Sequence, residues 1–214
     1  MAHIAPPPPT RPPRPLFHIL RANQYLVRIF DPTDHGTTAT GFRYWGPRHR
    51  FDHNRVGTHA SPAPDPDCGI YYAAANLAGC LVETFGAVGL IEFGEKCVAY
   101  PHLTRDLRLL DLRRRGAMRA GANAALAKVA DRPLSQQWSR YFYDNAEVYS
   151  RIDGLVYFNA HNDAVSFALY ERAADALECP PSHVIRLDHP ALRPTIVRVA
   201  LANNLIVPPA GHIT

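Results

Sequence analysis

The hydrophobic pattern of this chain changes period repeatedly between its ends. QYLVRIF (24–30) is a nearly unbroken apolar run around Arg28 that stops at Asp31-Pro32, which predicts a strand. In GIYYAAANLAGCLVETFG (69–86), Ile70 to Tyr72 read as a strand. Asn76 then opens a helix on which Leu77, Leu81 and Phe85 recur at helical spacing. KCVAYPHL (96–103) and LRLLDL (107–112) predict strands. GANAALAKVA (121–130) and PLSQQWSRYFYDNAEVY (133–149) predict helices, the second with Pro133 near its start and Ser135 as its cap. DGLVYFN (153–159) and SFALYE (166–171) read as two strands joined by a short His-Asn-Asp turn, and SHVIRLDH (182–189) as one more. TIVRVALANNLI (195–206) fits a helix or a strand. Strands and helices mix without regular βαβ alternation. The expected class is α+β: one domain with a mixed or antiparallel sheet and flanking helices.

Two stretches fall outside this pattern. Residues 1–15 hold seven of the 20 prolines and predict a polyproline-like, flexible arm standing apart from a domain over 16–214. Residues 36–69 form a long stretch rich in turn residues and without periodicity. A loop of that length is functional or disordered. Its Arg43, Tyr44, Trp45, Arg48, His49, Arg50, Phe51 and His53 are not the content of a linker.

Composition narrows the class. With 214 residues, 47% of them hydrophobic, the chain can bury one sizeable core. It has no apolar run of membrane-spanning length and no secretory signal at its N-terminus, so a soluble, cytoplasmic protein with no membrane partner is expected. Four scattered cysteines without a C-x-x-C pair predict neither a disulfide framework nor a zinc site. The net charge is +4, and of the 23 basic residues all but Lys96 and Lys128 are arginine, so any phosphate-binding cation here is expected to be a guanidinium. Arg113-Arg114-Arg115 lacks aromatic interleaving and reads as a solvated helix start or loop, with no direct nucleic-acid partner expected.

The candidate chemistry is modest residue by residue. Phosphate-binding glycine loops, G-x-S-x-G and H-E-x-x-H are missing. His49 and His53 have metal-ligand spacing but lie in a turn-rich stretch, so no metal is expected. Arg28 either snorkels from an edge strand or points into a cleft toward an anion. Arg50 beside Phe51 suits a ligand with a phosphate and a π-face, or is a surface arginine. Tyr72 either stacks on a planar ring or closes the core with its hydroxyl outward. Glu83 is the sole acid of residues 69–86 and shares a narrow stripe with Asn76 and Gly79. Burying it unpaired is costly, so it is either a solvated stripe residue or an acid held in a cleft.

The order of these segments resembles the RES-domain family, named for an Arg, a Glu and a Ser. Arg28 in LVRIF matches the first arginine. Arg50 in HRFD matches the Arg of G-R-F-[ND], with His49 in place of Gly. Tyr72 and Glu83 keep the eleven-residue spacing of L-Y-x-A and its Glu. DGLVY (153–157) and ALYE (168–171) complete the series, and the likeness spans about 24–172. Asn159 stands where the family has Ser, two residues after the late Tyr; it hydrogen-bonds but cannot move a proton as a hydroxyl does.

The resemblance implies an ADP-ribosyltransferase-like fold and a bacterial toxin restrained by an antitoxin protein. It further implies a site acting on NAD+ as substrate, without a prosthetic group. The nicotinamide–ribose bond would be cleaved by hydrolysis or phosphorolysis, or ADP-ribose transferred to a protein. Glu83 would stabilise the positive charge developing on the ribose, Arg28 and Arg50 would hold the pyrophosphate, Tyr72 would pack on nicotinamide, and Asn159 would hydrogen-bond the ligand. The alternative is a member that binds a nucleotide or partner without turnover.

Overall fold

The computed structural model describes residues 4–34 and 37–209. In chain order the elements are β1 (Phe17–Leu20), β2 (Arg28–Phe30), β3 (Trp45–Gly46), β4 (Ala63–Pro64), β5 (Ile70–Ala74) and α1 (Leu77–Phe85). Then come β6 (Cys97–Ala99), β7 (His102–Leu103), β8 (Leu107–Asp111), α2 (Arg115–Arg119), α3 (Arg132–Asp144) and α4 (Ala146–Tyr149). β9 (Gly154–Phe158), β10 (Val165–Tyr170), β11 (Leu177–Glu178), β12 (Val184–Arg186) and α5 (Arg193–Ala202) complete the fold.

The main sheet has the order β1-β8-β9-β10-β5. β8 and β9 run parallel, and the crossover between them carries α2, α3 and α4; the other pairs are antiparallel. A second sheet, β12-β6-β2, is tied to the first by a bridge between Val27 and Ala74. The fold is therefore mixed α and β in one domain, with a mixed sheet and flanking helices. One face of the main sheet packs Leu110, Leu155, Tyr157, Ala168 and Tyr170 against Trp138 and Phe142 of α3. The other face buries Tyr71, Val156, Phe167 and Leu169 with Leu20, Leu26 and Leu103.

Several expectations need correction. The first strand is FHIL (17–20), directly after the prolines, while QYLVRIF shrinks to Arg28–Phe30 preceded by isolated bridges. β1 pairs along its whole length with β8, so it needs no long apolar run of its own. The helix expected over 121–130 is only a 3-10 turn, Ala124–Ala127, capped by the Asn123 side chain. α3 is capped by Asp131, whose carboxylate accepts from Leu134 N at 3.0 Å; Ser135 lies inside the helix and is buried. The ambiguous 195–206 run is helical in α5.

The N-terminal arm also differs from a tail apart from the core. Residues 4–15 form no helix or strand, but Ile4 joins the core beneath α3. The Trp138 indole donates to Ala5 O at 2.9 Å, and Arg14 N donates to Arg119 O at 2.7 Å. Burying an indole requires an acceptor, and the arm's backbone supplies it. No helix among the described residues is long and apolar enough to cross a membrane.

Candidate functional site

α1 answers the question posed by Glu83. Asn76 caps the helix, its side-chain oxygen accepting from Gly79 N at 2.8 Å. Leu81, Val82 and Phe85 bury one face. On another, Gly79, Glu83 and Gly86 lie at four- and three-residue spacing, along one edge of the helix. A Cβ on Gly79 would sit 2.8 Å from the Ala164 side chain, and one on Gly86 would sit 2.8 Å from the His161 ring. Both glycines thus admit the turn between β9 and β10, and Glu83 stands between them. The stripe runs alongside this turn, with Glu83 itself exposed between the two close approaches.

Glu83 keeps solvent access and makes no hydrogen bond or ion pair with any described residue. The surrounding walls desolvate its carboxyl and raise its pKa above the ordinary glutamate range, while His161, Arg50 and Arg132 pull it down. An exposed carboxylate near cations but paired with none can accept from a ligand's hydroxyls or oppose a developing positive charge.

The sheet supplies the floor. Ser166 is opposite both Tyr157 and Ala74, and Ala168 is opposite Tyr72, so alternation puts Tyr72, Ala74, Tyr157 and Ser166 on one face. Tyr157 is buried and packs edge-on to Phe51 with ring centroids 4.7 Å apart. Its hydroxyl pKa is pushed well above normal, first by burial and then by the Glu83 charge. Asn159, at the end of β9, is fully buried. Its Oδ1 accepts from His161 N at 3.1 Å and Asn162 N at 2.9 Å, while its Nδ2 has no partner among the described residues. The residue in the family's serine position therefore fixes the turn that carries His161.

The loop over 43–53 is held by a second carboxylate, Asp52, which is completely buried. It accepts from Arg43 Nη2 at 2.8 and 2.7 Å, Arg48 N at 2.5 Å, His49 N at 2.9 Å and the Tyr72 hydroxyl at 2.8 Å. Burial alone would raise its pKa, but Arg43 and the converging donors hold it below the usual carboxylate range. Tyr72 in turn accepts from Phe51 N at 3.0 Å. His49 beside it is exposed at the surface, yet desolvation of its ring, with Arg43, Arg48 and Arg132 nearby, pushes its pKa down to about 4 against the pull of Asp52. Arg50 is buried and donates to Val129 O; burial and the neighbouring Arg132 lower its pKa, and Glu83 raises it.

The structure thus brings Arg50, Tyr72, Glu83 and Asn159 to one side of the sheet and leaves Arg28 on the other. Arg28 donates to Gly41 O at 2.9 Å and stacks 4.3 Å above Tyr71, whose side chain points away from that of its neighbour Tyr72. It lines a separate cleft of about 280 Å³ with Arg43, Tyr44, Trp45 and Arg48. The Cys80 thiol of α1 is buried, which raises its pKa.

Sequence reasoning missed Asp52, Arg132, Tyr157 and His161. Asp52 and Tyr157 lie inside the quoted HRFD and DGLVY segments, which was the available signal; Arg132 and His161 had none. Among the described residues no group of His, Cys, Asp and Glu could hold a metal ion.

Comparison with known proteins agrees with this architecture. The RES domain family model matches residues 19–191. A chain in the crystal structure of the M. tuberculosis MbcT–MbcA toxin–antitoxin complex superimposes with a TM-score of 0.54 at 14% identity, covering 89% of this chain and 92% of that one. No curated protein sequence matches.

Proposed function

The chain belongs to the RES-domain family, and from that premise we propose that it is an NAD+-cleaving toxin restrained by a cognate antitoxin protein. The toxin role draws on the family and on the likeness in fold to a chain of a toxin–antitoxin complex. The cleavage chemistry draws on one observation above all, the exposed and unpaired Glu83 carboxylate on α1, beside the β9–β10 turn and within reach of the charges of His161, Arg50 and Arg132.

Breaking the nicotinamide–ribose bond sends its electron pair to the nicotinamide nitrogen and leaves oxocarbenium-like charge on the ribose, as in glycoside cleavage. The Glu83 carboxylate accepts from the ribose hydroxyls and stabilises that charge. Water or inorganic phosphate then bonds to the same carbon, water releasing a proton. Arg50 carries charge toward the ligand's phosphates. The Tyr72 hydroxyl is committed to Asp52, so Tyr72 offers nicotinamide its ring. Asn159 has only its buried Nδ2 left to donate, its oxygen being committed to the β9–β10 turn, so its bond to a ligand forms only as that turn yields. Arg28 gives one N–H donor to Gly41 O and stacks on Tyr71, and donors remain for a phosphate in the cleft it lines with Arg43 and Arg48.

The test incubates purified protein with NAD+, with and without phosphate, beside the Glu83→Gln variant. Loss of NAD+ that depends on Glu83 is expected; none from folded, antitoxin-free protein would overturn the cleavage reading. A second reading, binding without turnover, rests on Asn159 in the serine position. It requires NAD+ to raise the melting temperature and remain intact. Transfer of ADP-ribose to a protein would instead leave a labelled protein.

A further inference from the structure

α3 approaches the site with a face that is used almost entirely for gripping backbone. Gln136 Nε2 donates to His49 O at 2.9 Å, and Ser139 Oγ donates to Phe51 O at 2.7 Å. Arg132, Gln136 and Ser139 are spaced by four and three residues and share that face. Arg50, between the two gripped residues, donates to Val129 O, three positions before Arg132. The start of α3, with Arg132, is therefore brought close to Arg50.

The only carboxylate beside Arg132 in sequence, Asp131, is committed to capping the helix through Leu134 N. The positive end of the helix dipole disfavours an arginine at the first position, and no acidic residue follows it in the first turn. Arg132 is half-buried, and its guanidinium makes no hydrogen bond or ion pair with a described residue, while its carbonyl accepts from Ser135 Oγ at 3.0 Å. Yet its charge reaches Arg50, His49, Glu83 and Tyr157. The charges of Arg50 and Arg132 oppose each other, and an anion bound near both relieves that repulsion.

We propose that Arg132 is a substrate-binding residue that, together with Arg50, holds the diphosphate of a dinucleotide whose ribose lies at Glu83. The inference rests on the NAD+ reading for the identity of the ligand, but the pair of guanidiniums stands without it. Arg132 is neither the acid nor the acceptor in the reaction; it supplies a fixed positive charge and a planar fork of donors.

The experiment measures binding of ADP-ribose, and separately of nicotinamide riboside, by calorimetry in the full chain, the Arg132→Gln, Arg132→Lys and Arg140→Gln variants. Arg140 lies further along the same helix. The expected result is ADP-ribose weakened roughly tenfold or more in Arg132→Gln, in line with the loss of a charge-assisted bond. Partial recovery is expected in Arg132→Lys and none of this change in Arg140→Gln, with nicotinamide riboside bound equally by all. Loss of both ligands alike in Arg132→Gln would mark a structural role and overturn the proposal, as would unchanged ADP-ribose affinity. NAD+ consumption is followed in the same preparations. Arg132-dependent binding without NAD+ loss defeats the cleavage reading and leaves the anion site standing. NAD+ loss with binding indifferent to Arg132 does the reverse.

Discussion

Asp52 and Glu83 are two carboxylates of one small region placed under opposite conditions. Asp52 is sealed from water and surrounded by donors from Arg43, Tyr72 and two backbone amides, and its pKa is depressed. Glu83 is reached by water, has no donor of its own, and its pKa is raised. The difference separates a residue that holds the architecture from one left available to a ligand. Full satisfaction stabilises a buried charge, whereas an unsatisfied charge is kept at a cost in stability for what it does next.

The comparison breaks most visibly at Glu83. Glu83→Gln should lower NAD+ cleavage by roughly a thousandfold, measured as turnover, with the circular dichroism spectrum unchanged. Retained turnover would place Glu83 among ordinary surface residues. Asp52→Ala should do the opposite first: unfolding in urea should show a loss of about 3 kcal/mol, because Arg43 and the loop amides lose their common acceptor. A variant as stable as the parent would show that the loop holds without its carboxylate.

A smaller effect isolates one bond. Tyr72→Phe removes the hydroxyl that donates to Asp52 and accepts from Phe51 N, and should cost about 1 kcal/mol. Because the ring face remains, the KM for NAD+ should change less than the stability does.

The smallest effect is in pH dependence, and here the two residues have opposite signs. The depressed Asp52 contributes stability above the ordinary aspartate range that is lost as pH falls through its folded pKa. The raised Glu83 works the other way: stability declines as pH rises from the ordinary glutamate range to its folded pKa. At neutral pH, Glu83→Gln should therefore melt no lower than the parent, and higher by up to about 2 °C. Activity that needs the ionised carboxylate should fade on acidification, starting at a higher pH than for an unperturbed glutamate. A melting curve lowered at neutral pH by Glu83→Gln would reverse the assigned sign.

Much of this arrangement was legible from residue order. The IYYAA strand, the helix carrying Glu83, LRLLD, GLVYF and SFALY all form as their periodicity implies, because each buries a continuous apolar face. β1 was not legible, since FHIL alternates weakly and gains its strand character only from β8. Ser135 looked like a cap because of its type, but Asp131 held the position with the right backbone angles. Arg28 reads as an edge-strand or cleft residue from its place in a strand, and it lines a cleft, packed on Tyr71 away from Glu83, a placement its strand alone does not encode. Arg132 and His161 come within reach of the Glu83 charge only through the packing of α3 and the β9–β10 turn, a tertiary fact that no spacing encodes.

The grip of α3 on residues 49–51 has a consequence for how this family can drift. Gln136 and Ser139 hold the carbonyl oxygens of His49 and Phe51, atoms that every amino acid carries. The helix thus reads the path of the loop and is blind to the side chain at position 49. A residue such as His49 can replace a glycine there while the neighbouring arginine keeps its aim, so the lineage can vary the wall of its site without rebuilding the frame.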